Sequence, residues 1–154
     1  MSSLKAFQVA AELAERQRDA ARQTLKDVQA ALQAAQAQLE QLAGYAGETQ
    51  GRWGMREGAE VQPEVMYHHY QFMGRLDHAI SLQTGAVSAQ DARVEQARQA
   101  LLAAELRLAS LRKVLERRRA ELALQQQRRE QKQTDERAAL RAARAQGAMP
   151  DQEH

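Results

Sequence analysis

The sequence predicts an all-α fold: a long two-helix antiparallel coiled-coil hairpin with unequal arms. Three observations predict it. Apolar residues recur at alternating intervals of three and four along almost the whole chain. Five glycines crowd between residues 44 and 58, and the apolar pattern restarts after Pro63. Ala, Leu, Glu, Lys and Arg make up more than half of the 154 residues, while aromatics are 4%. A heptad of apolar residues places a narrow stripe on one helix face, and that stripe must find a partner stripe. With so few aromatics and apolar content that is largely Ala, one elongated coiled coil is a better solution than a compact core.

The first arm is expected at about residues 4–46. Its stripe reads Leu4, Phe7, Ala11, Ala14, Arg18, Ala21, Leu25, Val28, Leu32, Ala35, Leu39 and Leu42. Ser2 or Ser3 is placed to cap it. Gly44, Gly47, Gly51, Gly54 and Gly58 follow. Glycine is about 1 kcal/mol worse than alanine inside a helix, so residues 47–62 are expected as a Gly-rich turn region. Pro63 suits the first turn of a new helix, and Glu64 beside it favours the positive end of the dipole.

The second arm is expected over residues 63–146. Its stripe reads Met66, His69, Met73, Leu76, Ile80, Gln83, Val87, Gln90, Val94, Ala97, Leu101, Ala104, Leu108, Leu111 and Leu115. Gly74 and Gly85 lie inside it as candidate bends, and Gly147 and Pro150 are expected to end it, leaving 147–154 as a tail. The arms would measure about 65 Å and about 125 Å. The shorter arm covers only the first part of the longer one. Large apolar seam positions stop near Leu122, and Gln125, Arg129, Lys132 and Glu136 then occupy the stripe. The last segment is therefore expected as a protruding, charged single helix.

Side-chain sizes specify the pairing. With Leu4 at a and Phe7 at d, the second arm carries large residues at a and often small or polar ones at d. The first arm has Ala14, Ala21 and Ala35 at d, with Leu25, Leu32 and Leu39 at a. Antiparallel helices pack a against d, so large residues would interdigitate with small ones. That favours an intramolecular hairpin, and a monomeric rod, over a parallel dimer. Arg18, Gln83 and Gln90 sit in the seam. They are readable as register locks or as long stems that reach solvent from a thin seam.

Catalytic chemistry is not expected, because a rod offers no pocket. The carboxylates are scattered along solvated faces. His68, His69 and His78 are spaced by one, nine and ten, which puts no two of them at the i, i+3 or i, i+4 spacing that shared ligation on one helix needs. The glycines around Gly51 lack the Lys-Ser/Thr ending of a phosphate-binding loop. No metal, cofactor or enzymatic activity is expected. The chain has no cysteine, so disulfides and thiolate metal sites are excluded. Its first dozen residues hold no secretory apolar run, and no stretch is apolar enough to span a membrane. A cytoplasmic protein without direct membrane insertion is expected.

Net charge is only +2, with a pI of about 9.2, too weak a bias to imply nucleic acid. The tail is basic: Arg112–Arg119, then Arg128 and Arg129 through Arg144, with Glu116, Glu121, Glu130, Asp135 and Glu136 interleaved. It reads as a solvated helix held by i, i+4 ion pairs or as a docking surface for an acidic protein cavity. Aromatics for base stacking are missing there, which disfavours nucleic acid. Tyr45, Trp53, Tyr67, Tyr70 and Phe72 gather near the turn. They either close the tip or form a binding patch. Gln38, Leu42 and Tyr45 on the first arm, with Phe72, Leu76 and Ala79 on the second, flank the seam near the tip as one edge strip.

Three segments resemble the flagellar FliJ family: Leu39–Tyr45 (LEQLAGY) before the turn, Tyr70–Gln83 (YQFMGRLDHAISLQ) after it, and Arg128–Ala138 (RREQKQTDERA) in the tail. Their order and the chain length extend the resemblance over nearly the whole chain. It implies a central-stalk and chaperone-escort component of the flagellar type III export apparatus. Such a protein links the export ATPase hexamer to the membrane export gate, peripherally at the inner-membrane flagellar base, and recycles export chaperones. The implied gate-binding strip carries over to Gln38, Leu42, Tyr45, Phe72, Leu76 and Ala79. The pattern departs at Thr49, where an aromatic is common, and Gln83 is one of several residues seen at its position. The charged end, with Arg128, Arg129, Lys132 and Arg137, is implied to meet the ATPase ring. A generic coiled-coil scaffold, or the equivalent injectisome stalk, is the alternative.

Overall fold

The computed structural model describes residues 2–54 and 62–148. Helix α1 is Ser2–Gly54 and helix α2 is Pro63–Ala148, and no strand occurs among the described residues. Residues 55–61 of the expected turn, and 149–154 of the expected tail with Pro150, lie outside the described residues. Pro63 opens α2 as expected. The Gln62 carbonyl accepts from the N–H groups of Val65 and Met66 at 3.0 and 3.2 Å, which makes Gln62 the residue at which the helix ladder starts.

The end of α1 differs from the expectation. The helix does not stop at Ala46 but continues through Gly44, Gly47 and Gly51 to Gly54. The reason lies in the heptad. These glycines occupy outward positions, where a missing side chain loses no packing. Between them Ala46, Thr49 and Trp53 prolong the a and d stripe, and all three are half-buried. The Thr49 hydroxyl donates to the Tyr45 carbonyl at 2.8 Å, and the Trp53 ring stacks on His69 at 3.9 Å and 4°. The glycines lower helix propensity by about 1 kcal/mol each, and seam packing on the other face offsets it. Helix α2 likewise continues through Gly74, Gly85 and Gly147.

The chain divides into two units: Met1–Ala14 with Arg107–His154, and Glu15–Leu106. In the second unit, residues 15–54 of α1 lie against residues 63–106 of α2. Arg22 meets Glu105 at 4.0 Å, Ala35 and Gln38 meet Gln83, Tyr45 meets Phe72, and Trp53 meets His69. Partners therefore descend along α2 as they ascend along α1. Its buried apolar residues are Ala35, Leu76, Val94 and Ala97. In the first unit, Ala11, Ala14, Leu108 and Leu115 are buried, and the Arg118 guanidinium lies 5.5 Å from the centre of the Phe7 ring.

All eight buried apolar residues fall at predicted a or d positions. From Leu4 to Leu42 every seam position is buried or half-buried, and so is every one from His69 to Leu115. Met66, the first position of the α2 stripe, is exposed. The apolar seam also ends earlier than expected. Leu122 is 37% exposed, and every residue from Glu116 to Gly147 is exposed. Phe7 already meets Arg118, so few α1 residues are left to cover α2 further on.

Candidate partner-binding site

The edge strip is built by the seam. Tyr45 and Phe72 both sit at g, one on each helix, where antiparallel packing leaves them on the flank. Their rings meet edge to face, 5.9 Å apart at 85°. Tyr45 remains 51% exposed, and Phe72 is half-buried. Back along α1, Leu42 one turn away is half-buried and Gln38 two turns away is exposed. Gln38, Gln41, Leu42, Tyr45 and Gln83 line a shallow depression of about 290 Å³.

Gln83 fixes the floor of that depression. Its amide donates to the Ala35 carbonyl at 2.9 Å and to the Gln38 Oε1 at 3.1 Å. This seam glutamine is a cross-helix tie, the register-lock reading. Arg18 makes no such tie: its guanidinium turns along its own helix to Asp19 at 2.9 Å and Glu15 at 3.8 Å, and its side chain is largely covered. Gln90 does neither, since its Oε1 is buried without a hydrogen-bond partner.

The six residues of the strip are not equivalent. Gln38, Leu42 and Tyr45 share the depression, and Phe72 joins them through Tyr45. Ala79 is half-buried. Leu76 is 7% exposed, so it lies in the seam and offers almost no area to a partner. Gln41, which the stripe places on the outer face, lines the depression without having been singled out. Gln83 is drawn in as well. Its polarity at a d position was the signal that marked it.

The aromatic residues divide between the two readings. Trp53, stacked on His69, packs the last described turn of α1 against α2. Tyr67 and Tyr70 are exposed, with the Tyr67 hydroxyl accepting from the Gln71 amide at 2.7 Å. In the other unit Arg128, Arg129, Lys132 and Arg137 are all exposed on α2.

Among the described residues no helix is long and apolar enough to cross a membrane. The sequence matches the family model described as "Flagellar FliJ protein" over residues 3–147. No curated protein and no solved structure matches it.

Proposed function

The chain belongs to the flagellar FliJ family, and from that membership we propose that it serves flagellar type III export as a central stalk and chaperone escort. In this reading α1 and α2 form an antiparallel coiled-coil hairpin with one overlong arm. The protein joins the export ATPase hexamer to the cytoplasmic domain of the export gate and carries no catalytic step of its own. The single observation that carries the reading is the family match, which spans both helices and the exposed tail. The geometry supports the division of labour. Gln38, Leu42, Tyr45, Phe72 and Ala79 present a mixed aromatic and amide edge for the gate, with Leu76 behind them in the seam. Arg128, Arg129, Lys132 and Arg137 present cations on a bare helix for the ATPase.

The test is a pair of binding titrations, one with the purified gate cytoplasmic domain and one with the purified, assembled ATPase. Both should bind the full chain. A fully helical protein that binds neither would leave only the generic coiled-coil scaffold.

A further inference from the structure

Helix α2 has an outer face that the hairpin seam does not use. From His78 to Leu106 the heptad positions b, c and f lie away from the seam. They number thirteen, all are exposed, and Glu95 is the one Asp, Glu, Lys or Arg among them. On α1 of the same unit the b, c and f positions include Arg16, Asp19, Lys26, Asp27 and Glu40, as a solvated face should. In place of charge α2 shows Leu82, Leu102 and Leu106, which are 64%, 57% and 60% exposed.

This face is built unevenly. Leu102 at b and Leu106 at f stand at one end. At the other end the same positions hold Gly74, His78, Ser81 and Gly85. Gly74, with Gln71, Arg75 and His78, lines a dent of about 510 Å³. A Cβ built at Gly74 or Gly85 meets no atom within 4 Å. The hairpin therefore does not need glycine at either position, and helix propensity disfavours it.

A face with knobs at one end and hollows at the other is complementary to itself turned end for end. In a two-fold pair, residue i of one copy meets j of the other and j meets i. The stagger of the hairpin's own seam, where Trp53 meets His69 and Tyr45 meets Phe72, can be transferred to this outer face. It places Leu106 of each copy at the Gly74 dent of the other and Leu102 against His78, with Ser88 and Ala92 at the axis. In that register Asp77 lies opposite Arg98, twice. Both are exposed, and neither is in an ion pair among the described residues. Sliding by one heptad sets carboxylates against each other: Asp77 opposite Glu105 in one direction, Asp77 opposite Asp91 in the other. Charge thus selects the register that also seats the leucines.

We infer that two copies of this hairpin associate side by side and antiparallel through the outer face of α2, from Gly74 to Leu106. Each hairpin stays intramolecular. The contact runs about 48 Å along the helix, but it is a single helix on a single helix, at the small end of protein interfaces. The dimer is therefore weak and concentration-dependent. Phe72 and Ala79 lie on the g edge, so the pair leaves the proposed gate strip uncovered. This inference stands apart from the export reading, and either can fail alone.

The test is sedimentation of the full chain from low micromolar to near-millimolar concentration, with helicity checked for every variant. The parent should pass reversibly from monomer to dimer. Asp77→Arg and Arg98→Asp should each weaken the dimer about tenfold or more, because each creates two like-charge pairs. An equimolar mixture of the two variants, which restores both opposite-charge pairs between unlike copies, should recover it. Gly74→Gln should raise the melting temperature, since it adds helix propensity without a clash, yet weaken association by filling the dent. A parent that stays monomeric over the whole range overturns the inference. So does a dimer indifferent to all three substitutions, and so does a mixture that fails to recover what its two helical components lost.

Discussion

Replacing Gly44, Gly47 and Gly51 with alanine should stabilise the protein. A Cβ built at each of these positions meets no atom within 4 Å, and all three residues are exposed. The substitutions therefore add neither a clash nor a buried contact, and helix propensity alone acts. That is worth about 0.8–1.0 kcal/mol per position, or about 2–3 kcal/mol for the triple variant if the three are independent. In a chain of 154 residues, this corresponds to a rise in melting temperature of about 5–10 °C, read by far-ultraviolet circular dichroism. Amide exchange localises the effect. The amides from Leu42 to Trp53 open by fraying of the last turns of α1, and their exchange should slow by up to about a hundredfold. A lower melting temperature, or unchanged exchange from Leu42 to Trp53, would mean that this segment is not helical in solution and that the glycines end α1 where propensity alone would end it.

Leu108→Ala should cost about 3 kcal/mol, because Leu108 is 2% exposed and its loss leaves a cavity. Leu102→Ala, six residues earlier at 57% exposure, should stay within about 0.5 kcal/mol of the parent; equal costs in chemical denaturation would refute the assigned register. Amides from about Ala123 to Gly147 should exchange much faster than those around Val94 in the isolated protein, since all of these residues are exposed. Equal protection would show that the tail is covered. Phe72→Ala should weaken gate binding about thirtyfold or more while ATPase binding is kept, which parallel titrations of the two partners would check.

The stripe made the seam legible, and the boundaries were harder. Ala46, Thr49 and Trp53 continue the heptad past Gly44 and Gly47, yet glycine propensity argued for a stop. Propensity is a local term of about 1 kcal/mol per residue, and packing on the opposite helix face outweighs it. The end of the apolar seam at Leu115 rather than Leu122 depends on where α1 begins relative to α2. That alignment is long-range, and no local pattern carries it. The same holds for the site. Leu42 and Leu76 share heptad position d, but Leu42 opens onto the depression and Leu76 is buried. What opposes each residue across the seam decides this, not its spacing. Gln83 could be marked as unusual from its polarity, whereas its acceptors, Ala35 and Gln38, follow only from register.

A two-helix seam cannot separate stability from recognition. Each helix has one neighbour, and among the described residues no large side chain falls below 2% exposure. The flank of the seam is thus also the surface that a partner sees. Tyr45 and Phe72 show the consequence. Their edge-to-face contact holds the helices together and is worth about 0.5–1.5 kcal/mol beyond the area it buries. In the proposed function the same rings are the anchors offered to the gate, where truncating an aromatic hot spot typically costs about 2 kcal/mol or more. Phe72→Ala must therefore lower stability somewhat as well as binding. The two effects remain separable because the fold rests on a stripe of many positions, from Leu4 to Leu115, and loses one edge contact among them. The edge strip has few residues with both area and exposure, and loses a principal one. A variant that stays helical and binds the gate about thirtyfold or more weakly is what that asymmetry predicts.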